Sequence, residues 1–384
     1  MSVVTPIYMD YQATTPVDPE VRTAMLPFFE ESFGNAASKS HSFGWRAEAA
    51  VAVARGQVAA SIGAAPEEII FTSGATESNN LALFGTARAL RDKGRHLITC
   101  ATEHKAILDP CAQLSKEGFS ISYLPVDREG QIDLHQLKSS LQKDTILISL
   151  MAANNEVGTL HPLMEIGKIA QEAGVLFHSD AAQAAGKVPI DVREQGIDLL
   201  SLSAHKIYGP KGIGALFIRK KKPAIRLEPI IYGGGHESGL RSGTLNVAGI
   251  VGMGAALKKA REGMREESAH LETLRKKLWD GLQAQIKGIH LNGPADRRLP
   301  GNLNITFDQV PSDRLMMEMK DVAVSSGSAC TTADPKPSHV LKAMGLSDTA
   351  VRSSIRLSVG RFTSLEEVDY VVNRIAQCVA KMRA

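Results

Sequence analysis

Short apolar runs alternate with segments of helical pattern between about residues 68 and 218. The apolar runs predict strands at 69–72, 96–99, 120–124, 145–151, 175–177, 199–201 and 215–218. The segments between them predict helices over 76–90, from about 105, and over 162–173. Strands that alternate with helices form a mainly parallel sheet with helices on both faces. The sequence therefore predicts an α/β fold whose large domain holds this seven-stranded sheet, with functional residues at the carboxyl ends of the strands.

The sequence changes character after Thr244. The stretch from 244 to about 286 is long and helix-rich, and we expect Gly252 and Gly254 to interrupt its first part. Short strand candidates follow at 303–307, 322–325 and 354–358, and a capping box at 364–367 starts a closing helix that runs to about 382. We interpret this region as a smaller α+β domain completed by the N-terminal segment. The predicted boundaries are 15–261 for the large domain, and 1–14 with 262–384 for the small one.

The composition is that of a globular protein. A chain of 384 residues is long enough for two domains with substantial cores, and 43% hydrophobic with 22% charged residues is typical of such proteins. The formal net charge of +3 is too small to indicate a nucleic-acid or membrane-surface partner. The densest basic run, at 219–222, is interpreted as a solvated turn, with an RNA or protein contact as the alternative.

Membrane and disulfide signals are also missing from the sequence. No run of about 18 apolar residues occurs, so no membrane span is expected. The chain does not open with a basic and apolar signal segment. The four cysteines (Cys100, Cys111, Cys330 and Cys378) include no Cys-x-x-Cys pair, which argues against a zinc ribbon and a disulfide framework. We therefore expect a protein of the reducing cytoplasm without a resident metal.

A carboxylate and an amine follow two neighbouring strands of the predicted sheet. Asp180 and Lys206 each come after a short apolar run, so both side chains should lie at the same edge. Pyridoxal phosphate (PLP) needs this pair, because a lysine forms its Schiff base and an acid pairs with its ring nitrogen. A neighbouring cation would keep the lysine partly unprotonated, and His205 and Lys211 are candidates. The alternatives are a surface lysine and a capping aspartate.

The turn Ser73-Gly74-Ala75-Thr76-Glu77-Ser78 joins a predicted strand to a predicted helix. Glycine permits the sharp turn, and the first amides of the helix offer N–H groups to a phosphate. The Thr76 hydroxyl would add a further donor. Such a turn is often purely structural, but Ser203 and His205 converge on the same edge and favour a phosphate site.

Three further polar residues follow predicted strands. His104 is either a helix cap or a group that stacks on a flat cofactor and moves a proton. Asn155 follows the 145–151 strand and is placed to donate to cofactor or substrate oxygens. Gln183, close after Asp180, is either a ligand to the same cofactor or an ordinary solvated helix residue.

Cys330 and Arg356 are the candidates in the second half of the chain. Cys330 lies in a run of small and polar residues that is unsuited to a core, whereas the other three cysteines are predicted to be buried and inert. A thiol in such a loop suits a nucleophile that must visit more than one site. Arg356 is on a predicted strand, where alternation points it inward, and a substrate carboxylate would satisfy it.

Together these motifs resemble those of the cysteine desulfurases of the iron–sulfur assembly and nitrogen-fixation type. The shared motifs are Asp180-x-x-Gln183, Ser203-Ala204-His205-Lys206, Arg241-Ser242-Gly243-Thr244 and Ser326-Gly327-Ser328-Ala329-Cys330. The resemblance runs from Tyr8 to the last helix, and the lysine and cysteine motifs in combination are highly specific. It implies PLP fold type I, within the class V aminotransferase superfamily, and a homodimer with active sites near the subunit interface.

The resemblance also implies a role for each matching residue. Lys206 would hold PLP and later move the Cα proton, His104 would assist proton transfer, and Cys330 would accept the sulfur. Asn155 and Arg356 would position the substrate amino acid. The full set of expected cofactor contacts is Ala75, Thr76, His104, Asn155, Asp180, Gln183, Ser203, His205, Lys206 and, from the other subunit, Thr244.

The expected reaction converts L-cysteine to L-alanine and leaves a persulfide on Cys330, which could also serve as a transient cluster ligand. The closest alternative is another PLP enzyme of the same fold, such as a selenocysteine lyase or an aminotransferase. A silent scaffold that keeps the fold is a third possibility. The final sulfur acceptor stays open among an iron–sulfur scaffold, a tRNA-thiolation relay and a dedicated carrier.

Overall fold

The computed structural model describes residues 3–326 and 337–384. The strands in these ranges are β1 Ile7–Tyr8, β2 Ile69–Thr72, β3 His96–Cys100, β4 Ser120–Leu124, β5 Thr145–Ser149, β6 Leu176–Asp180, β7 Leu199–Ser203, β8 Gly214–Ile218, β9 Ile289–Leu291, β10 Asn302–Phe307, β11 Val322–Ala323 and β12 Ser354–Ser358. The α-helices are α1 Pro19–Met25, α2 Ser42–Ala60, α3 Ala75–Leu90, α4 Lys105–Lys116, α5 Leu134–Ser139, α6 Leu163–Ala173, α7 Val247–Gln285, α8 Ser312–Glu318, α9 His339–Ala343, α10 Asp348–Arg352 and α11 Leu365–Arg383.

The central sheet has seven strands in the order β2-β8-β7-β6-β5-β3-β4. Strand β8 runs antiparallel to both neighbours, and the other pairs are parallel. Successive side chains point to opposite faces, so Ile98 and Ile148 belong to one core while Leu97 and Leu147 belong to the other. This architecture confirms the predicted α/β fold and its mainly parallel sheet.

A second core lies around the sheet β12-β10-β9 and the parallel pair β1–β11. Phe307, Ile355 and Ile375 pack there with the N-terminal residues Ile7 and Met9. The first half of α7 packs on the large core and its second half on this smaller one. The distribution fits the predicted α+β unit completed by the N-terminal segment.

Helix α7 is continuous over Val247–Gln285, so the expected interruption at Gly252 and Gly254 is wrong. A Cβ on Gly254 would lie 2.8 Å from the Cα of Ala54 in α2, and one on Gly252 would lie 2.6 Å from the Met25 sulfur. The two glycines allow α1 and α2 to approach α7 closely. Packing therefore offsets the propensity cost of about 1 kcal/mol per glycine.

The basic run after β8 is only partly a solvated turn. Lys220 and Lys222 are exposed, but the Arg219 Nε donates to the Ile197 carbonyl at 2.8 Å. Lys221 pairs with the carboxylate of Asp198 at 2.7 Å. Half of the run thus anchors the end of β8 to the start of β7.

Candidate functional site

A cavity of about 530 Å³ opens at the carboxyl ends of the central strands. Its walls include ten of the predicted site residues: Ala75, Thr76, His104, Asn155, Asp180, Gln183, Ser203, His205, Lys206 and Arg356. Most of them follow β2, β3, β5, β6 and β7, and Arg356 comes from β12 of the small sheet. Cys330 lies outside the described residues. Thr244 does not line the cavity within this chain.

Lys206 ends the short 3₁₀ turn Ala204–Lys206 that follows β7. Its ammonium donates to the carbonyls of Gln12 at 2.6 Å and Ala13 at 2.8 Å. The next turn is sharp, because Tyr208 has a φ of 63° in the left-handed region. The amine is held at the cavity wall together with Asp180. The Lys206 amine and the Asp180 carboxylate therefore line one cavity at the same edge of the sheet, as predicted.

Asp180, the last residue of β6, is 7% exposed. One carboxylate oxygen accepts from the Ala182 N–H at 2.9 Å, and the other accepts from the Asn79 amide at 2.7 Å. The capping role that the sequence left open is thus real, and the same carboxylate also reaches the cavity.

The amino end of α3 forms one end of the cavity. Gly74 precedes the helix with a φ of 154°, a conformation that favours glycine. Gly74 is the N-cap and has no side chain that could accept from the first amides of the helix, and Ala75 and Thr76 line the cavity. Ser203 and His205 lie on the same cavity. This arrangement suits a phosphate.

His205 donates to or accepts from the Thr14 hydroxyl at 3.1 Å. The pKa of His205 is lowered to about 4, mainly by burial and also by the nearby Lys206, Lys211 and Lys187. The imidazole is therefore neutral near pH 7. The suggestion that His205 supplies a cation beside Lys206 is wrong, because its desolvation outweighs any benefit of protonation.

His104 is the N-cap of α4, and its Nδ1 accepts from the Ala106 N–H at 3.1 Å. In the neutral ring this places the proton on Nε2. Behind it, the buried Glu103 accepts from the Met151 N–H at 2.7 Å. Burial raises the pKa of Glu103 well above its usual range. The histidine is a cap and a cavity residue at once, so the two interpretations are not exclusive.

Arg356 points inward from β12, as the alternation predicted, and is 3% exposed. Its guanidinium donates to Asp10 at 2.8 Å and to the carbonyl of Asn155 at 2.7 Å. The sequence argument overlooked Asp10, which already supplies an anion. Within the described part of the chain the buried Arg356 Nε has no partner, so one donor of the guanidinium stays unused.

The other cysteines behave as predicted. Cys100, Cys111 and Cys378 are buried, and burial raises the pKa of Cys100 and of Cys111 to about 12. Such thiols stay protonated at neutral pH and are poor nucleophiles.

Besides Asp10, sequence reasoning missed four contributors. The carbonyls of Gln12 and Ala13 hold the Lys206 amine, Asn79 holds Asp180, and the Lys187 amine donates to Gln183 at 3.1 Å. Gln12 and Ala13 are far from Lys206 in sequence, and no local motif marks them. Lys187 is only four positions beyond Gln183, but a turn and not a helix joins the two, so helical spacing gives no signal for it.

The residues present fit PLP. A buried carboxylate, an amine and an uncapped helix start line one cavity whose volume is in the usual range for cofactor sites.

None of the helices in 3–326 and 337–384 has the length and apolar content needed to cross a bilayer.

Comparison with known proteins gives consistent matches. The family described as Aminotransferase class-V matches residues 7–371. A protein of Anaeromyxobacter sp. (strain Fw109-5) named "Cysteine desulfurase IscS" is 56% identical over 378 residues, 98% of this chain and 93% of that protein. A solved "NIFS-LIKE PROTEIN" is 38% identical with a TM-score of 0.91, covering 98% of this chain and 99% of that one. A structure described as "SspA in complex with cysteine" is 38% identical with a TM-score of 0.82, covering 93% and 100%.

Proposed function

The chain belongs to the aminotransferase class-V family, as its motifs predicted, and we propose that it is a PLP-dependent cysteine desulfurase. It converts L-cysteine to L-alanine and transfers the sulfur to Cys330. The names of its relatives support this assignment. The observation that carries it is the meeting of Lys206 and Asp180 in one cavity beside the uncapped start of α3.

PLP would supply an electron sink for the bond changes at the substrate Cα. Its phosphate would be held by the amides of Ala75 and Thr76 with Ser203 and His205, and by Thr244 of a second subunit. Asp180 would pair with the ring nitrogen and Gln183 with the ring hydroxyl. His104 would stack on the ring, and Lys206 would be the covalent attachment point.

The chain's own groups then handle the substrate. Arg356 and Asn155 hold the amino-acid carboxylate, and Lys206 carries the Cα proton. The Cys330 thiolate attacks the substrate sulfur, so that an S–S bond forms as the C–S bond breaks. The carbon left behind takes up a proton, with His104 as the donor nearest the leaving group, and the product is alanine.

The first prediction concerns Cys330. Cysteine added to the PLP-loaded protein should add one sulfur atom at this residue, as measured by peptide mass spectrometry. C330S should form no persulfide and lose most alanine production, because the acceptor thiolate is gone. Its visible absorbance should persist, since PLP attachment depends on Lys206. Full alanine formation by C330S would refute the role, and C378S, at a buried thiol, is the matched control.

The proposal also covers the oligomeric state of the protein, its location and the acceptor of the sulfur. We infer a cytoplasmic homodimer that passes sulfur to an acceptor protein such as an iron–sulfur scaffold. Aromatic side chains that are more than half exposed support a protein interface: Phe29, Phe33, Trp45 and Tyr232. Sedimentation analysis that gave only monomer would oppose the dimer.

A further inference from the structure

Lys187 lies behind the proposed cofactor site, four residues after Gln183 in a turn segment. Gly186 precedes it with a φ of 72°, and a Cβ there would lie 2.9 Å from the Cβ of Ala260 in α7. The side chain faces a second cavity of about 30 Å³. Gln12 lines this small cavity and the large one, so a single residue separates Lys187 from the proposed PLP site.

A chain of hydrogen bonds connects Lys187 to Lys206. The Lys187 amine donates to Gln183 Oε1 at 3.1 Å, and Gln183 Nε2 donates to the Gln12 carbonyl at 2.8 Å. Lys206 donates to the same carbonyl at 2.6 Å. An ammonium group only donates, so it must meet the oxygen end of the Gln183 amide. The NH₂ end is therefore turned toward Gln12 and the large cavity.

Within 3–326 and 337–384 no carboxylate forms an ion pair with Lys187, and the facing Glu267 is bound by Arg361 at 2.7 Å. The pKa of Lys187 is lowered to about 7, mainly by burial of its amine and also by Lys206 and Arg356, while Glu267 acts in the opposite direction. The other titratable groups on the small cavity are Tyr11 and Tyr208. An unpaired buried amine is costly, which indicates a use at the neighbouring site.

We propose that Lys187 is a positioning residue for the PLP ring, because it fixes the Gln183 amide with an N–H toward the ring hydroxyl. This role rests on the proposed function, since it needs PLP attached at Lys206. The residue does not contact the cofactor; it acts through Gln183.

The test uses the PLP-loaded protein without substrate and follows its visible absorbance against pH. K187M should raise the midpoint of the spectral transition by about one pH unit, which is a tenfold change in the acid constant. The reason is that the Gln183 N–H, held toward the ring oxygen, disfavours protonation of the neighbouring Lys206 nitrogen bound to PLP, and K187M removes this effect. K187R, which keeps a donor, should restore the wild-type midpoint. K168M, at a lysine 77% exposed on α6, is the matched control. An unchanged midpoint in K187M would overturn the proposal.

A second experiment, in the Q183L variant, distinguishes positioning through Gln183 from a direct electrostatic effect of the Lys187 charge. In Q183L, adding K187M should leave the midpoint where Q183L alone puts it, because the residue through which Lys187 acts is gone. A full shift there would also overturn the proposal. K187Q, whose shorter side chain does not reach Gln183, replaces K187M if that variant does not fold, and the same shift is expected. Failure of the proposed function looks different, since wild-type protein would then show no visible band with PLP.

Discussion

At the scale of single residues, the site works by controlling which groups carry charge. Asp180 accepts from two neutral donors, the Ala182 N–H and the Asn79 amide, and within the described residues no cation forms an ion pair with it. Burial instead acts on its neighbours, because it lowers the pKa of His205 and raises the pKa of Glu103.

We predict that D180N lowers the turnover number for alanine formation by about 10²–10³-fold, because a preorganised charge is lost where the ring nitrogen binds. The measurement is steady-state alanine production at saturating cysteine and PLP. D198N is the matched control, since Asp198 is a buried carboxylate at the opposite end of the sheet. Equal losses in the two variants would contradict the assignment of Asp180.

At the scale of elements, close packing of α7 on α2 decides where glycine is required. A Cβ at position 254 meets the backbone of Ala54, whereas one at Gly263, later in the same helix, meets nothing within 4 Å. The two glycines have the same helix propensity, so any difference between them measures packing.

G254A should lower the free energy of unfolding by about 1–3 kcal/mol, because overpacking outweighs the gain in propensity. G263A should raise it by up to about 1 kcal/mol. Urea denaturation followed by circular dichroism tests both. A G254A protein stabilised as much as G263A would show that α2 and α7 are not in tight contact.

At the scale of the whole molecule, Arg361 joins segments that are far apart in sequence. Its guanidinium pairs with Asp18 at the start of α1 and with Glu267 of α7, both at 2.7 Å. It also stacks on the Tyr208 ring at 4.2 Å from the centroid. We propose that this contact holds the large domain, 15–261, against the small one, 1–14 with 262–384.

R361L should cost about 3–5 kcal/mol in the free energy of unfolding, because the largely buried Glu267 loses its cation and Asp18 keeps only Lys259. K277L breaks an exposed pair with Asp369 and should cost less than about 1 kcal/mol. The comparison is made by thermal and urea denaturation at neutral pH. If both variants lost a similar small amount of unfolding free energy, Arg361 would not hold the two domains together.

Much of the molecule could be read from local patterns. The strands, the helices between them and the polar residues at their carboxyl ends are short-range features, because each is set by a few neighbouring side chains. Ala75, His104, Asp180 and Lys206 were found for this reason, and the cavity brings them together. The predicted interruption of α7 was wrong. The low helix propensity of glycine is a local property, whereas the packing that offsets it comes from other helices.

Contacts between distant segments needed the folded chain. The carbonyls that hold Lys206 and the Asp10 partner of Arg356 carry no motif. Backbone carbonyls look alike in every sequence, and an ion pair between residues hundreds of positions apart leaves no periodic trace. Secondary structure and the identity of the reactive groups thus follow from short-range chemistry, whereas their orientation and protonation follow from burial and from neighbours that only folding brings close.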